Sequence, residues 1–326
     1  MSVANPEMTM TIGVVIPAYN SAKHIRRALD SVLAQTRSPE EIIVADDGST
    51  DDTATVVEGY GSRVKLIRQT NAGASVARNT GINAATSEWI AFLDSDDEWL
   101  PEKLQLQSEL LSRNPRLVWT TANFIYCHCG RNLHSQKLAE AKGRALLSGR
   151  DFFEDYFDAF TKAAAGWTGT MIVKRSVLIE AGLFRPGQLR FNDEDMWWRI
   201  AYRYPEIGYN SKPLAIYHMY VPDSLTKKHE VPKSLDELIA NHIQIASECG
   251  KLERFKPCAE RMLRYWIHRY WFDERIMHIR EMTDRFSRVL PPFYKSALRI
   301  LTIFPRITSA CMPILSRINK VLRLPL

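Results

Sequence analysis

Three acidic clusters in this chain have the residue types and spacing to do chemistry. "DSDD", Asp94 to Asp97, follows directly on the apolar run "WIAFL". Residues two apart in an extended segment face the same side, so Asp94 and Asp96 present their carboxylates together. Such a pair suits a hard divalent cation, since Mg²⁺ takes one or two protein carboxylates while phosphates and water complete its shell. A solvated turn is the competing explanation. "ADDGSTDDT", Ala45 to Thr53, is a second acid-rich turn behind a second apolar run. There Asp46 could accept a hydrogen bond from a nucleobase N–H. Gly48, Ser49 and Thr50 favour a tight turn, and Asp51 and Asp52 read as caps for a helix opening at "TATVV". In "RFNDEDMWWRI", Arg190 to Ile200, the acids Asp193, Glu194 and Asp195 stand in a row before two tryptophans and an arginine. If a helix begins near Asp195, that residue lies four before Arg199, the spacing of an ion pair, and its charge is favoured in a first turn.

The elements that must position these acids are legible in the apolar pattern. "IGVVIPAYN" reads as a buried strand closed by Pro17. "SAKHIRRALDSVLAQT" reads as a helix with Ser21 as its N-cap and an apolar face at Ile25, Leu29, Val32 and Leu33. "EEIIVAD", "RVKLIRQT" and "EWIAFL" are further strands, with helices at "ATVVEGYG" and "GASVARNTGINAAT" between them. Strands alternating with helices imply an α/β fold, a parallel sheet flanked by helices. In such sheets ligands bind beyond the carboxyl ends of the strands. The clusters "PAYN", "DDGSTDD", "QTNAG" and "DSDDEW" all fall there and would converge on one crevice. From about residue 101 the rhythm loosens, and "AGWTGTMIVKRSVLIEAGLF" reads as loop, strand, helix and turn. Beyond about residue 232 nearly everything is helical, with Ser234 and Glu237 in a capping-box pattern.

"VVIPAYN", "DDGSTDDT", "NAGASVARNTGI", "FLDSDDEW" and "NDEDMWWR", in that order and spacing over roughly residues 11 to 220, resemble the motifs of family 2 glycosyltransferases of the GT-A fold. The resemblance implies a Rossmann-like, mostly parallel central sheet and inverting transfer from a nucleotide-sugar, with a UDP-sugar favoured. It implies a catalytic domain over 1–230, with a nucleotide-sugar half at about 11–100 and an acceptor half at about 101–230; beyond it, 231–326 reads from its own pattern and charge as a helical, basic region. Pro17, Ala18, Tyr19 and Asp46 then look like the nucleobase set. Arg78 would sit near the nucleotide, Asp94 would touch the ribose, and Asp96 would bind the Mn²⁺ or Mg²⁺ that bridges the diphosphate. His218 in "IYHMY" reads as a further metal or diphosphate ligand, or else as a packed histidine beside aromatics. The departing diphosphate needs a Lewis acid, and the attacking hydroxyl needs a base on a separate segment. Family members show Glu-Asp, a variable residue, an acid, then an aromatic or apolar helix start and Arg. Counting back from Arg199 makes Asp193 the base, Glu194 a spare pointing to solvent, and Asn192 a departure from the usual Glu. Reading Glu194–Asp195 literally as the pair makes Asp195 the base instead. Trp197 and Trp198 read as core packing or as a stacking platform, and Trp167 as the better acceptor contact.

Composition sets the outer bounds. The 326 residues allow one large domain or a domain with an appendage, and 45% hydrophobic with 25% charged residues is a globular balance. "MSVANPEMTM" lacks the basic start and apolar core of a signal peptide, and no apolar run reaches the roughly 18 residues of a spanning helix. Five cysteines without framework spacing suit a reducing cytoplasm, and "CHC" at Cys127 to Cys129 has no second ligand pair for a metal. From Lys256 onward fourteen Lys or Arg face five acids, a balance of +9 within a net +6, so the rest of the chain is −3. "FYKSALRILTIFPRITSACMPILSRINKVLRLPL" interleaves those cations with apolar residues, a pattern for an anionic membrane surface, for a helical cap, or for an oligomer contact; Pro305 and Pro313 would break it into pieces. A lipid-linked or polysaccharide acceptor, a peripheral place on the inner face of the cell membrane and no nucleic-acid partner are the matching expectations. A sugar nucleotidyltransferase would want a Gly-rich phosphate loop after the first strand, which "PAYNSAKHIRR" lacks. A catalytically inactive nucleotide-binding scaffold would fit the Asn192 departure, while Asp46, Asp94, Asp96 and Asp193 speak against decay.

Overall fold

The computed structural model describes residues 10–128, 133–219, 231–272 and 275–303. They fall into two units, Met1–His229 and Glu230–Leu326. The first is built on one ten-stranded sheet. Its strands are β1 (Ile12–Ala18), β2 (Glu41–Asp46), β3 (Lys65–Arg68), β4 (Trp89–Phe92), β5 (Glu98–Trp99), β6 (Trp119–His128), β7 (Leu133–Gln136), β8 (Phe152–Phe153), β9 (Ile172–Lys174) and β10 (Ile207–Met219). The order is β3-β2-β1-β4-β9-β6-β10-β5, with β7 on β6 and β8 on β10. β3, β2, β1 and β4 run parallel to one another, and β6 runs parallel to β10. β9 joins the two sets antiparallel to both β4 and β6. Ile12, Val14, Val15 and Ile16 are fully buried, as the central strand of a sheet covered on both faces requires.

The helices of this unit are α1 (Ile25–Leu33), α2 (Thr53–Glu58), α3 (Ala74–Ala84), α4 (Lys103–Arg113), α5 (Glu140–Leu147), α6 (Tyr156–Thr161), α7 (Arg175–Glu180) and α8 (Asn192–Arg203). α3 comes so close to β1 that a Cβ on Gly81 would meet Val15 Cγ1 at 2.4 Å. Two starts differ from expectation. α1 opens at Ile25 rather than behind a Ser21 cap: the Ser21 carbonyl accepts from the amides of His24 (2.8 Å) and Ile25 (2.9 Å), while its hydroxyl meets Ser95 Oγ at 2.7 Å. α8 opens at Asn192, three residues before Asp195, behind Phe191 in the left-handed region at φ 58°.

The second unit comprises α9 (Val231–Glu248), α10 (Leu252–Phe272), α11 (Ile276–Arg285) and α12 (Pro292–Leu301) around buried Leu235, Ile239, Phe255, Leu263, Ile279 and Phe286. α9 starts upstream of Ser234, so that residue lies within the helix and does not cap it. No helix among the described residues is long and apolar enough to cross a membrane. Pro305 and Pro313 lie outside the described residues.

Candidate active site

The parallel pairing sets Ala18 beside Asp46 at the carboxyl ends of β1 and β2. The turn after β2 then holds the turn after β1. Asn20 is left-handed at φ 48°; its amide donates to Ser49 Oγ at 2.9 Å, and its Oδ1 accepts from the Thr50 amide at 2.8 Å. Ser21 donates its amide to Thr53 Oγ1 at 2.7 Å. Asp51 accepts from the amides of Ala22 (3.1 Å) and Thr53 (3.0 Å), which makes it the tether of this turn as well as a partner of the α2 start. Burial alone would raise its carboxyl, but those bonds and the Thr53 hydroxyl hold it below the usual range. The side chain of Asp52 makes no capping bond. Tyr19 is 47% exposed on the rim. Asp46 is fully buried: Oδ1 accepts from the Ser49 amide at 3.0 Å, while Oδ2 has no hydrogen-bond partner and lies 3.4 Å from Arg68 Nε. A buried acceptor left unpaired is costly, and such an atom is ready for an incoming N–H. Asp47, which sequence reasoning passed over, accepts from Gln69 (2.6 Å) and the amides of Ala72 (2.9 Å) and Gly73 (2.8 Å), fixing the loop that leads into α3.

The acids after β4 divide by environment. Asp94 accepts from Arg78 at 2.7 Å. Burial and then repulsion by Asp94 push the Asp96 carboxyl up to about 6, and its backbone carbonyl accepts from the Arg27 guanidinium. Asp97 points inward and is fully buried. Its Oδ1 accepts from the His218 amide at 2.7 Å, Oδ2 has no partner, and burial with Asp96 and Asp94 nearby raises it well above the carboxylate range. His218 itself meets Glu98 Oε1 through Nε2 at 2.8 Å, the contact that lowers Glu98. That nitrogen is therefore engaged by a carboxylate.

The opposite wall is the start of α8. Asp195 is buried in ion pairs with Arg199 Nη2 (2.7 Å) and Arg185 Nε (3.3 Å). Arg199 also donates to the carbonyls of Leu183, at 2.7 Å, and Ala181. Asp193 accepts through Oδ2 from the Thr168 hydroxyl at 3.3 Å and through Oδ1 from the Glu194 amide at 3.1 Å. Burial works to raise Asp193, but the neighbouring Glu194 and the charge of Arg78 hold it below the usual range. Glu194 does not point to solvent as expected. It is half-buried, and burial with the charge of Asp193 drives it well above the carboxylate range. Arg78 links the walls, since it binds Asp94 and lies 3.5 Å from Asn192 Oδ1. Tyr217 faces both, raised by burial and by Asp97, Asp94, Asp96 and Asp193.

Trp197 and Trp198 are buried core, Trp197 against Phe92 (5.9 Å) and Phe184 (5.7 Å). Trp167 lies next to the Asp193 contact, packed on Phe124 at 4.3 Å and Tyr217 at 5.5 Å, with its indole N–H unpartnered. A Cβ on Gly169 would meet the Trp167 ring at 2.5 Å, so the glycine is what lets the ring lie there.

A family model for glycosyl transferase family 2 matches residues 13–182, just over half of the chain. The chain belongs to this family. Glycosyltransferase YibD of Escherichia coli K12 is 27% identical over 255 residues, covering 76% of this chain and 72% of its own. The Escherichia coli UDP-Glc:alpha-D-GlcNAc-diphosphoundecaprenol beta-1,3-glucosyltransferase WfgD is 41% identical over 105 residues, 32% of this chain and 42% of that protein. Among solved structures, S. aureus TarS 1–349 in complex with UDP-GlcNAc superposes with a TM-score of 0.70 at 20% identity, covering 92% of this chain and 88% of TarS. That likeness gives this family 2 enzyme the GT-A fold. Among its described residues no three His, Cys, Asp or Glu side chains are grouped to hold a metal by themselves.

Proposed function

We propose that this glycosyltransferase moves a sugar, of the hexosyl type, from a nucleotide-diphosphate sugar to an acceptor hydroxyl with inversion, UDP being the favoured nucleotide. The observation that carries the proposal is Arg78, which spans from Asp94 to Asn192 and so faces the acid cluster and Asp193 across one crevice. The UDP and UDP-GlcNAc complexes of TarS support the choice of donor class. Pro17, Ala18 and Tyr19 flank the base, Asp46 Oδ2, which has Arg68 nearby but no hydrogen bond, accepts its N–H, and Asp94 takes the ribose. Asp193 removes the acceptor proton as the acceptor oxygen bonds the sugar carbon. The carbon–oxygen bond to the diphosphate breaks with its electron pair leaving on the diphosphate.

A divalent ion fits the residues present. Burial and then repulsion by Asp94 raise Asp96, and a cation beside the two carboxylates would offset both. Asp96 would hold it, with phosphate oxygens of the donor and water supplying most of the shell. When bound, Mn²⁺ or Mg²⁺ supplies Lewis-acid stabilisation of the departing diphosphate. His218 belongs to this shell only if it gives up Glu98. The acceptor subsite includes Trp167, and the acceptor is a lipid-linked or polysaccharide glycan; the name of WfgD carries a lipid-linked one, GlcNAc-diphosphoundecaprenol. The catalytic domain ends near residue 230. The helical C-terminal region serves an anionic membrane surface: α12 leaves Phe293 86% and Ile300 62% exposed beside Arg299.

UDP release from UDP-glucose and UDP-GlcNAc, with EDTA and with added Mn²⁺ or Mg²⁺, tests the proposal. Asp193→Ala should lower turnover by about 10²–10⁴-fold, the usual worth of a general base. Full activity in that variant removes Asp193 as the base, and turnover that survives chelation removes the metal. A thermal-shift panel of nucleotide-sugars then picks the donor, since a ligand bound only by the native state raises stability.

A further inference from the structure

Thr168, whose hydroxyl meets Asp193, opens a single 3-10 turn, Thr168–Thr170, directly after Trp167. Carbonyls at the end of a helical turn have no partner inside it. Two side chains from distant segments take them here. Trp99 Nε1 donates to the Gly169 carbonyl at 2.7 Å, and Gln107 Nε2 donates to the Thr170 carbonyl at 2.9 Å, both bonds buried. The hydroxyls of Thr121 on β6 and Thr170 meet at 2.7 Å. Trp99 and Gln107 grip backbone, so Thr168 keeps its hydroxyl for Asp193. Trp99 also lies two residues after Asp97, in β5 beside Glu98, which holds His218. One two-residue strand thus meets the acids behind β4 and the turn beside Asp193. The buried Lys103 on α4 packs its Nζ 4.1 Å from the centre of the Trp99 ring. The Thr168–Asp193 contact at 3.3 Å lies beyond the usual range of about 2.5–3.0 Å for O–H···O bonds, so a shift of roughly half an ångström in the turn decides its strength.

We propose that Trp99 and Gln107 are positioning residues for the transfer: their grip on the Gly169 and Thr170 carbonyls sets the Thr168 hydroxyl at Asp193 and ties that contact to the strand behind the Asp94–Asp97 acids. The role rests on Asp193 being the base. A donated hydrogen bond favours the charged form of a carboxylate, so Thr168 keeps Asp193 ionised and fixes its orientation toward the acceptor. The other groups that face Asp193 are Arg78 from α3, Glu194 on α8 and Tyr217 on β10.

The test is UDP release from UDP-glucose and UDP-GlcNAc by the full chain, measured across pH. Trp99→Phe keeps an aromatic ring against Lys103 and loses the N–H. Gln107→Met keeps the length and loses the donor. Thr168→Val keeps the shape and loses the hydroxyl. Each should lower kcat about tenfold, the worth of one hydrogen bond to a charged group, with the KM for the donor unchanged. In each, the acid limb of kcat/KM should move to higher pH, because a carboxylate that loses a donor is easier to protonate. Trp99→Phe added to Thr168→Val should cost nothing further, since both act through one contact. Losses that multiply in that double variant, an acid limb that stays in place, an effect confined to the donor KM, or a lowered Tm with wild-type kcat each overturn the role. Full turnover in Asp193→Ala removes the base itself. An inactive Asp193→Ala beside Trp99→Phe and Gln107→Met that turn over like wild type removes only the positioning role.

Discussion

Asp195 and Asp193 are two residues apart, and the structure gives opposite expectations for removing them. Asp195→Ala deletes a buried carboxylate that receives Arg199 Nε at 2.9 Å and Nη2 at 2.7 Å and faces Arg185 at 3.3 Å. It leaves the Arg199 side chain, 12% exposed, without its counter-charge. Breaking a buried pair from one side costs about 3–5 kcal/mol. Arg199 keeps its bonds to the Leu183 and Ala181 carbonyls, so the lower end, about 3 kcal/mol, applies. For a unit of this size each kcal/mol moves Tm by roughly 2–4 °C, which predicts a fall of about 6–12 °C. Asp193→Ala removes a half-buried group held by a weak hydroxyl contact and the Glu194 amide, with no cation among the described residues paired to it, and relieves Glu194 of its neighbour's charge, so its Tm should move far less while turnover collapses. Differential scanning fluorimetry and UDP release on the same preparations read both quantities. A folded Asp195→Ala protein with wild-type Tm and abolished turnover would refute the reasoning and move the base to Asp195.

Gly81→Ala should destabilise by about 1–3 kcal/mol, the usual cost of overpacking, because Val15 lies 2.4 Å from the new methyl; urea denaturation checks it. Gly169→Ala drives a methyl into the Trp167 ring, so the KM for the acceptor should rise more than the KM for the donor. Glu41 accepts from the amides of Ser87 (2.7 Å) and Thr86 (2.8 Å); burial opposes its ionisation, but these bonds outweigh it and depress the carboxyl. A depressed acid contributes stability above its unfolded pKa and loses it as pH falls through the folded value. The Tm of Glu41→Gln should therefore lie below wild type at neutral pH, with the gap closing in acid.

The placement of strands and acids was legible because both are local. β-Branched runs ending in polar clusters name β1, β2 and β4 and the crevice at their carboxyl ends. The four-residue spacing of Asp195 and Arg199 becomes a real ion pair. The antiparallel β9 between β4 and β6 was not legible, because which strands become neighbours is decided by chain crossing, and three residues of "IVK" carry no direction. Nor was the turn of α8: Phe191 enters the left-handed region and the helix starts early, which puts Glu194 in the first turn, half-buried rather than in solvent.

What the sequence by itself determined is the family, the order of the elements and the set of acids near the crevice, since motif spacing and apolar periodicity depend only on neighbours along the chain. The tertiary structure decided what each acid is. The three acids of "DSDD" are alike until Arg78 from α3 claims Asp94, the β10 amide of His218 claims Asp97, and Asp96 is raised by burial and by Asp94. "NDED" is likewise undifferentiated until Arg185 and Arg199 enclose Asp195 and Thr168 comes within reach of Asp193. A carboxyl's charge state follows from its burial and from the dipoles and cations around it, and those arrive from segments far away along the chain.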